Sequence, residues 1–226
     1  MVNTLAVLPV KSFGRAKQRL GDAVGDQKRA LARAMASDVL EALGQVDGLA
    51  CVMVVTADSL DVEATNPSGR RFAPARFEVV HDPEEAGQSA AALRGVRAAV
   101  ERGAERVLLV PGDCPAIEPD EVADLLREPQ EGVVIVPDRH GAGTNALLIA
   151  PPQALEPSFG PGSFARHAAL AHAAGARVRI GRLPSLELDV DTPGDLAALR
   201  AALAARSGGA PRTRALLDGI ASAHAV

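Results

Sequence analysis

Three aspartates stand where apolar runs stop: Asp113 closes Val107-Leu-Leu-Val-Pro-Gly-Asp, and Asp189 and Asp191 close Leu188-Asp-Val-Asp-Thr-Pro. In an open α/β sheet, ligands bind in the crevice at the carboxyl ends of the strands, and a buried strand ending in Asp delivers an oxygen ligand there. Mg²⁺ is a hard cation that is commonly shared between one or two carboxylates and substrate phosphates. Taken singly, Asp113 would serve a turn and Asp191 would cap a helix opening at Thr192-Pro193, since Asp is favoured in both places. Taken together, Asp113, Asp189 and Asp191 form a candidate Mg²⁺ site.

A second group is cationic. Lys11, Arg15, Lys17 and Arg19 lie on the segment that follows the first apolar run, and four cations there suit a triphosphate. Lysine acts on phosphate oxygens as a point charge, whereas arginine binds them through a bidentate fork. Solvated surface is the commoner fate of such residues. Position at a strand end favours Lys11 and Lys17, with Arg19 as a weaker partner. No Gly-x4-Gly-Lys-Ser/Thr run and no Gly-x-Gly-x-x-Gly follows the strand, which argues against a P-loop enzyme and a dinucleotide fingerprint.

A third group could bind a small anion. Gly141-Ala-Gly143-Thr144-Asn145 leaves a loop for a strand, and Gly160-Pro-Gly162-Ser163 precedes a helix. Glycine-rich backbone and helix N-termini both present N–H groups to anions; the plainer alternative is turn glycines with Ser163 as a cap. His140 is read as a possible phosphate neighbour and His167 as a helix-surface residue. Reaction between two phosphates requires neither, because a phosphate monoester is already anionic at neutral pH. Cys51 and Cys114 show no metal-ligand spacing and are read as small apolar fillers in a reduced setting. A nucleophilic Cys114 would need a histidine partner that the sequence does not display.

The elements that must position these groups follow from hydrophobic patterning. Apolar runs at Leu5–Val10, Ala50–Val55, Phe77–Val80, Val107–Val110, Val133–Val136 and Ala146–Ile149 read as buried strands. Helical patterns fall at Gln27–Leu43, Ser89–Arg102, Pro119–Arg127, Ser163–Ala174 and Pro193–Ala205, the last opened by Thr192 as cap and proline in its first turn. Alternation of the two predicts a single-domain α/β fold, its mainly parallel central sheet covered by helices on both faces. Asp58–Ala75 reads as a loop. Ser207-Gly-Gly-Ala-Pro211 breaks the last helix, so the expected division is a domain over 1–205 and a carboxyl-terminal extension over 206–226, either a docked helix or a loose tail.

At 226 residues the chain suffices for one α/β domain with a substantial core. Hydrophobic residues make up 47%, yet there are five Phe and no Trp or Tyr, so Ala, Val and Leu must build that core. The lack of stacking aromatics and the net charge of −4 argue against nucleic-acid and membrane-surface binding. No apolar run reaches ~18 residues and no signal-like segment opens the chain, which gives a cytoplasmic expectation.

The opening Pro9-Val-Lys11, continued by Lys17-Gln-Arg19-Leu20, resembles the shortened signature loop of the 2-phospho-L-lactate and phosphoenolpyruvate guanylyltransferases of coenzyme F420 biosynthesis. Similarity continues through Gly112-Asp-Cys-Pro115, Asp138-Arg-His-Gly-Ala-Gly-Thr-Asn145, Phe159-Gly-Pro-Gly-Ser163 and Leu188-Asp-Val-Asp-Thr-Pro193, spanning roughly residues 4 to 200. Where that family usually reads Gly-Leu-Asn, this chain has Gly87-Gln88-Ser89, which keeps an amide one position earlier. The resemblance implies a nucleotide-diphospho-sugar transferase-like, Rossmann-like fold and transfer of GMP from GTP to phosphoenolpyruvate or 2-phospho-L-lactate with loss of pyrophosphate. It further implies a nucleotide site at Lys11, Lys17, Arg19, Gly87, Gln88 and Ser89, an acceptor site at Thr144, Gly162 and Ser163, and Mg²⁺ on Asp113, Asp189 and Asp191. Lys11, Lys17 and Asp113 would be the catalytic set. The expected partners are these small molecules, with no nucleic acid or membrane, and a homodimer is a possible assembly. Alternatives are a nucleotidyltransferase acting on a sugar phosphate or molybdopterin, a glycosyltransferase using Asp189-Val-Asp191, and a non-catalytic nucleotide-binding module.

Overall fold

A computed structural model describes residues 2–10, 20, 24–57, 76–128 and 131–224. Seven strands form one sheet: β1 (Thr4–Pro9), β2 (Cys51–Thr56), β3 (Arg76–His81), β4 (Arg106–Leu109), β5 (Gly132–Pro137), β6 (Thr144–Ala150) and β7 (Val178–Ile180). Their order is β3-β2-β1-β4-β6-β5-β7. Strands β1 to β4 pair in parallel, β6 runs antiparallel to both β4 and β5, and β5 pairs in parallel with β7. The mainly parallel α/β sheet is as expected. The strand at Val178–Ile180 is an addition, three residues long at the sheet edge.

Covering both faces requires strands that are apolar on every residue, and β2 and β6 are buried throughout. Alternation of side chains then sorts them between two cores. Ala6, Leu8, Val52, Val54, Leu108 and Leu148 face α1 (Lys28–Leu43) and α3 (Pro119–Arg127). Leu5, Val7, Met53, Leu109, Leu147 and Ile149 face α2 (Gln88–Glu101) and α4 (Ser163–Ala173). Small side chains let the helices lie close: a Cβ on Gly95 of α2 would stand 2.3 Å from Val7 Cγ1.

A third cluster lies outside α1. Leu31 and Met35 pack there against Leu196, Leu199 and Leu203 of α5 (Pro193–Ala204) and Leu217 and Ile220 of α6 (Pro211–His224). The carboxyl-terminal segment is thus a docked helix. Its N-terminus is capped from a distance by the buried Asp38 of α1, whose Oδ1 accepts from Arg212 N at 3.1 Å and Oδ2 from Thr213 N at 2.7 Å. A carboxylate there satisfies amides that a helix leaves unpaired and complements its dipole. Among the described residues no helix is long and apolar enough to cross a membrane.

Candidate active site

β4 delivers Asp113 into the middle of the sheet's carboxyl edge, through a turn over Gly112-Asp113. The Asp113 carbonyl accepts from Val190 N at 3.1 Å, which lays the Asp189-Val190-Asp191 segment alongside it. That segment differs from expectation: Asp189 and Asp191 end no strand, because residues 181–192 are irregular. Leu183, Leu186 and Val190 are buried pegs rather than successive strand positions. Hydrogen bonds fix the backbone instead. Leu186 O accepts from Asn145 Nδ2 at 2.8 Å and from the buried Cys114 thiol at 3.7 Å, Ser185 N donates to Glu121 Oε2 at 3.1 Å, and Arg139 N donates to Glu187 O at 2.8 Å.

The half-buried Asp189 carboxyl has its pKa raised, first by burial, then by the Asp113 carboxylate, with Asp191 contributing less. Asn145 Nδ2, 3.3 Å from Asp189 Oδ1, opposes the shift. The three acids therefore share one electrostatic environment, and crowding of like charge is what a bound cation relieves. Asp191 is placed by the start of α5. Thr192 caps that helix as expected and completes a capping box with Asp195, whose Oδ2 also accepts from Asp191 N at 3.1 Å. Burial pushes the Asp195 carboxyl up, but the Thr192 hydroxyl, the Thr192 and Asp191 amides and Arg139 outweigh it and hold it low.

Thr144 and Asn145 reach this edge because β6 runs backwards, so its first residues lie beside the carboxyl ends of β4 and β5. A bulge sits there: Ala146 pairs with Val136 but Thr144 pairs with Pro137, leaving Asn145 as an extra residue. Thr144 consequently faces α4, where its Oγ1 lies 3.0 Å from His167 Nδ1. His167 corrects an expectation. It is fully buried rather than on the helix surface, its Nε2 accepts from Ser158 N at 2.9 Å, and the Phe159 ring meets it edge-on. Burial, with Arg166 nearby, pushes its pKa down to about 4.

The two glycine-rich cradles also differ from expectation. The amides of His140 and Ala142 both donate to Asp138 Oδ1, at 3.1 and 2.9 Å, so that loop already wraps a carboxylate of its own. At α4, Gly162 is the N-cap in left-handed conformation and Ser163, buried, is the first helical residue rather than the cap. Ser163 N donates to Gly160 O at 3.0 Å and Phe164 N to Ala142 O at 3.2 Å, so these two amides of the terminus are used internally. Gly162 and Ser163 open α4, and Thr144 lies against His167 one turn further along it.

Gly87 is the N-cap of α2 at φ +111°, Gln88 opens the helix, and Ser89 does not cap it. The Ser89 hydroxyl accepts from Phe159 N at 2.8 Å and so ties the expected nucleotide segment to the acceptor loop. Lys11, Arg15, Lys17 and Arg19 lie outside the described residues. Among those described, no three His, Cys, Asp or Glu side chains are grouped to hold a metal ion by themselves. An all-oxygen pair such as Asp113 and Asp189, crowded by Asp191, fits a hard cation that takes its remaining ligands from phosphates and water.

Sequence reasoning left out Asp195 and Arg166, and assigned neither the role of Asn145 nor that of His167. Asn145 had a visible signal, a polar amide entering an apolar strand. His167 had another: Ser163, His167 and Ala171 repeat at helical spacing and are all buried. Arg166 braces the same loop, its Nη2 donating to Ser158 O at 2.8 Å and Phe159 O at 3.2 Å.

A family model described as guanylyl transferase, CofC like, matches residues 4–202. The chain is 48% identical over 222 residues to a phosphoenolpyruvate guanylyltransferase of Conexibacter woesei, covering 96% of each chain. Its identity to one of Rubrobacter xylanophilus is 42%, covering 88% of this chain and 95% of that one. Among solved structures, a nucleotidyl transferase from a Methanothermobacter species superposes with a TM-score of 0.58 at 21% identity, over 90% of this chain and 99% of that one. A CMP:2-keto-3-deoxy-manno-octonic acid synthetase complexed with CTP superposes with a TM-score of 0.55 at 18% identity, over 90% of this chain and 99% of that one, a likeness of fold alone.

Proposed function

The chain belongs to the CofC-like guanylyl transferase family, and from that premise we propose that it transfers GMP from GTP to the phosphate of phosphoenolpyruvate, releasing pyrophosphate. The observation that carries the reading is the convergence of Asp113 and Asp189 at the carboxyl edge of the sheet, close enough that one raises the other's pKa. That the relatives at 48% and 42% identity are both named for phosphoenolpyruvate favours it over 2-phospho-L-lactate as acceptor. The step is the one that the family resemblance assigns to coenzyme F420 assembly.

In this reading a phosphate oxygen of the acceptor attacks the α-phosphorus of GTP, the bond to the β-phosphate oxygen breaks, and pyrophosphate departs. Both reactants are anions, so the protein's task is to position them and offset their charge. Asp113 and Asp189 would hold Mg²⁺, with Asp191 adding negative charge beside them. Bound there, the ion supplies charge neutralisation between the two phosphate groups. Asn145 keeps Asp189 oriented, and Asp195 keeps the Asp191 backbone in place. Lys11, Lys17 and Arg19 steady the triphosphate, Gly87, Gln88 and Ser89 border the nucleotide, and Thr144, Gly162 and Ser163 receive the three-carbon acid. No base is needed, which accords with a His167 that stays neutral.

The test is pyrophosphate release from each of the four NTPs with phosphoenolpyruvate or 2-phospho-L-lactate, with and without Mg²⁺. Release confined to GTP, phosphoenolpyruvate and Mg²⁺ is the expected result. Absence of release in every pairing overturns the proposal, and a nucleoside diphosphate product would indicate a glycosyltransferase.

A further inference from the structure

We infer that His167 is a positioning residue that fixes the Thr144 hydroxyl as a hydrogen-bond donor aimed at an anionic oxygen of the acceptor; this rests on the reading of Thr144 as an acceptor contact. The argument is one of proton counting. A backbone amide only donates, so Ser158 N–H, 2.9 Å from His167 Nε2, requires a lone pair on that nitrogen. The neutral ring then carries its single proton on Nδ1, 3.0 Å from Thr144 Oγ1. Thr144 therefore accepts from the histidine, and its own proton must point elsewhere. No second partner of that hydroxyl is found among the described residues.

The surroundings make this orientation persistent. The ring is fully buried against Phe159, and its pKa near 4 keeps it neutral through the physiological range. Were it cationic, the bond from Ser158 would become a clash of two donors. The neighbouring backbone donors are already used: His140 and Ala142 by Asp138, Ser163 by Gly160, and Phe164 by Ala142. A hydroxyl whose proton is turned away from the histidine matches a carboxylate or phosphate oxygen, both pure acceptors. Histidine thereby orients the donor that the pocket presents without touching the ligand.

The experiment uses the full chain. ¹⁵N–¹H correlation of the histidine rings at pH 7 is expected to show His167 neutral and protonated on Nδ1; a cationic ring or protonation on Nε2 overturns the inference, and this measurement needs no variant to fold. Kinetics with GTP, Mg²⁺ and phosphoenolpyruvate supply the second arm. Thr144→Val is expected to raise the acceptor KM about tenfold with the GTP KM unchanged, the scale of a lost hydrogen bond to a charged group. His167→Gln retains an acceptor for Ser158 but loses the Nδ1 donor, and should match that loss. His167→Asn places an amide donor near the Nδ1 position and should stay within about threefold. The Thr144→Val, His167→Gln double variant should be no worse than either single one, since the two act as a unit. If Thr144→Val leaves the acceptor KM unchanged, the acceptor reading fails and the inference with it. If Thr144→Val weakens the acceptor but His167→Gln does not, or the two losses multiply, the positioning role alone is overturned.

Discussion

The acid side and the α4 side of the crevice are built by opposite means. Asp113, Asp189 and Asp191 crowd like charges into a half-buried space, and the raised pKa of Asp189 records the cost. Around Thr144 the polar groups are paired: Asp138 fills its own loop, His167 spans Thr144 and Ser158, and Arg166 ties down the carbonyls of Ser158 and Phe159. One region is crowded with like charge, as the proposed cation site requires, and the other is satisfied and merely oriented. Strain that persists in a fold is expected where a ligand is to relieve it, whereas hydrogen-bond satisfaction supplies preorganisation. Stability and activity should therefore respond in opposite directions on one side and together on the other.

The largest effect is expected on the acid side. Asp113→Asn should lower the rate of pyrophosphate release by at least about a thousandfold, with the far-ultraviolet circular dichroism unchanged; such a loss is on the scale of removing a principal electrostatic contact. Near-normal turnover would break the assignment. Asp189→Asn should be equally inactive yet melt at a higher temperature than the parent in EDTA at neutral pH. The sign follows from the raised pKa: above it the folded state must hold an ionised carboxyl at a cost, and stability improves as pH falls through it. Asparagine removes that cost.

On the other side the pH response has the reverse sign. His167 ionises near 4 in the fold against an ordinary 6.5, so between those values the unfolded chain binds a proton that the folded one refuses. Stability is complete above pH 6.5, is lost as pH falls towards 4, and levels off below. The full window is worth about 3 kcal/mol at 1.36 kcal/mol per pH unit. Urea denaturation at pH 7 and pH 4.5 would measure it, and a His167→Gln protein that loses as much stability as the parent would refute the attribution.

Asp38→Ala should cost about 2 kcal/mol in the same assay, because two amides at the start of α6 and the Arg212 guanidinium lose their acceptor. The acid side should suffer more than the α4 side, since α6 shares a core with Val190, between the two acids. Smallest is Ser89→Ala, a loss of about 1 kcal/mol from the bond to Phe159 N. It should raise the KM for both substrates by a few-fold. A change confined to one of them would separate segments that the hydroxyl joins.

What could be read from the sequence tracks how local the physics is. Continuous apolar runs disclosed β1, β2, β4, β5 and β6, because strands buried on both faces have no polar side to confuse the pattern. Val178-Arg-Ile gave no such signal; it is three residues long and only partly covered. The proline and cap residues before α5 were legible for the same local reason. Leu188-Asp-Val-Asp191 looked like a strand end because Leu186, Leu188 and Val190 alternate, though their contacts peg an irregular segment held by Asn145, Cys114 and Glu121. The burial of His167 was legible in its helical spacing with Ser163 and Ala171, but its partners were not, since they lie 23 residues and 9 residues away in the chain. Nor could composition reveal that Asp138 occupies the glycine loop that follows it.

The bulge at the start of β6 has a consequence for how the two sides stay in step. In a regular ladder the position before Ala146 would face α4, and only one residue could occupy it at that depth. The inserted residue lets Thr144 keep that outlook while Asn145 turns towards Asp189. Thr144 and Asn145 are therefore consecutive links of one chain, and their separation is set by peptide bond lengths rather than by how two loops happen to settle. A sheet distorted by a single residue serves as the caliper that gauges the α4 side of the crevice against the acid side.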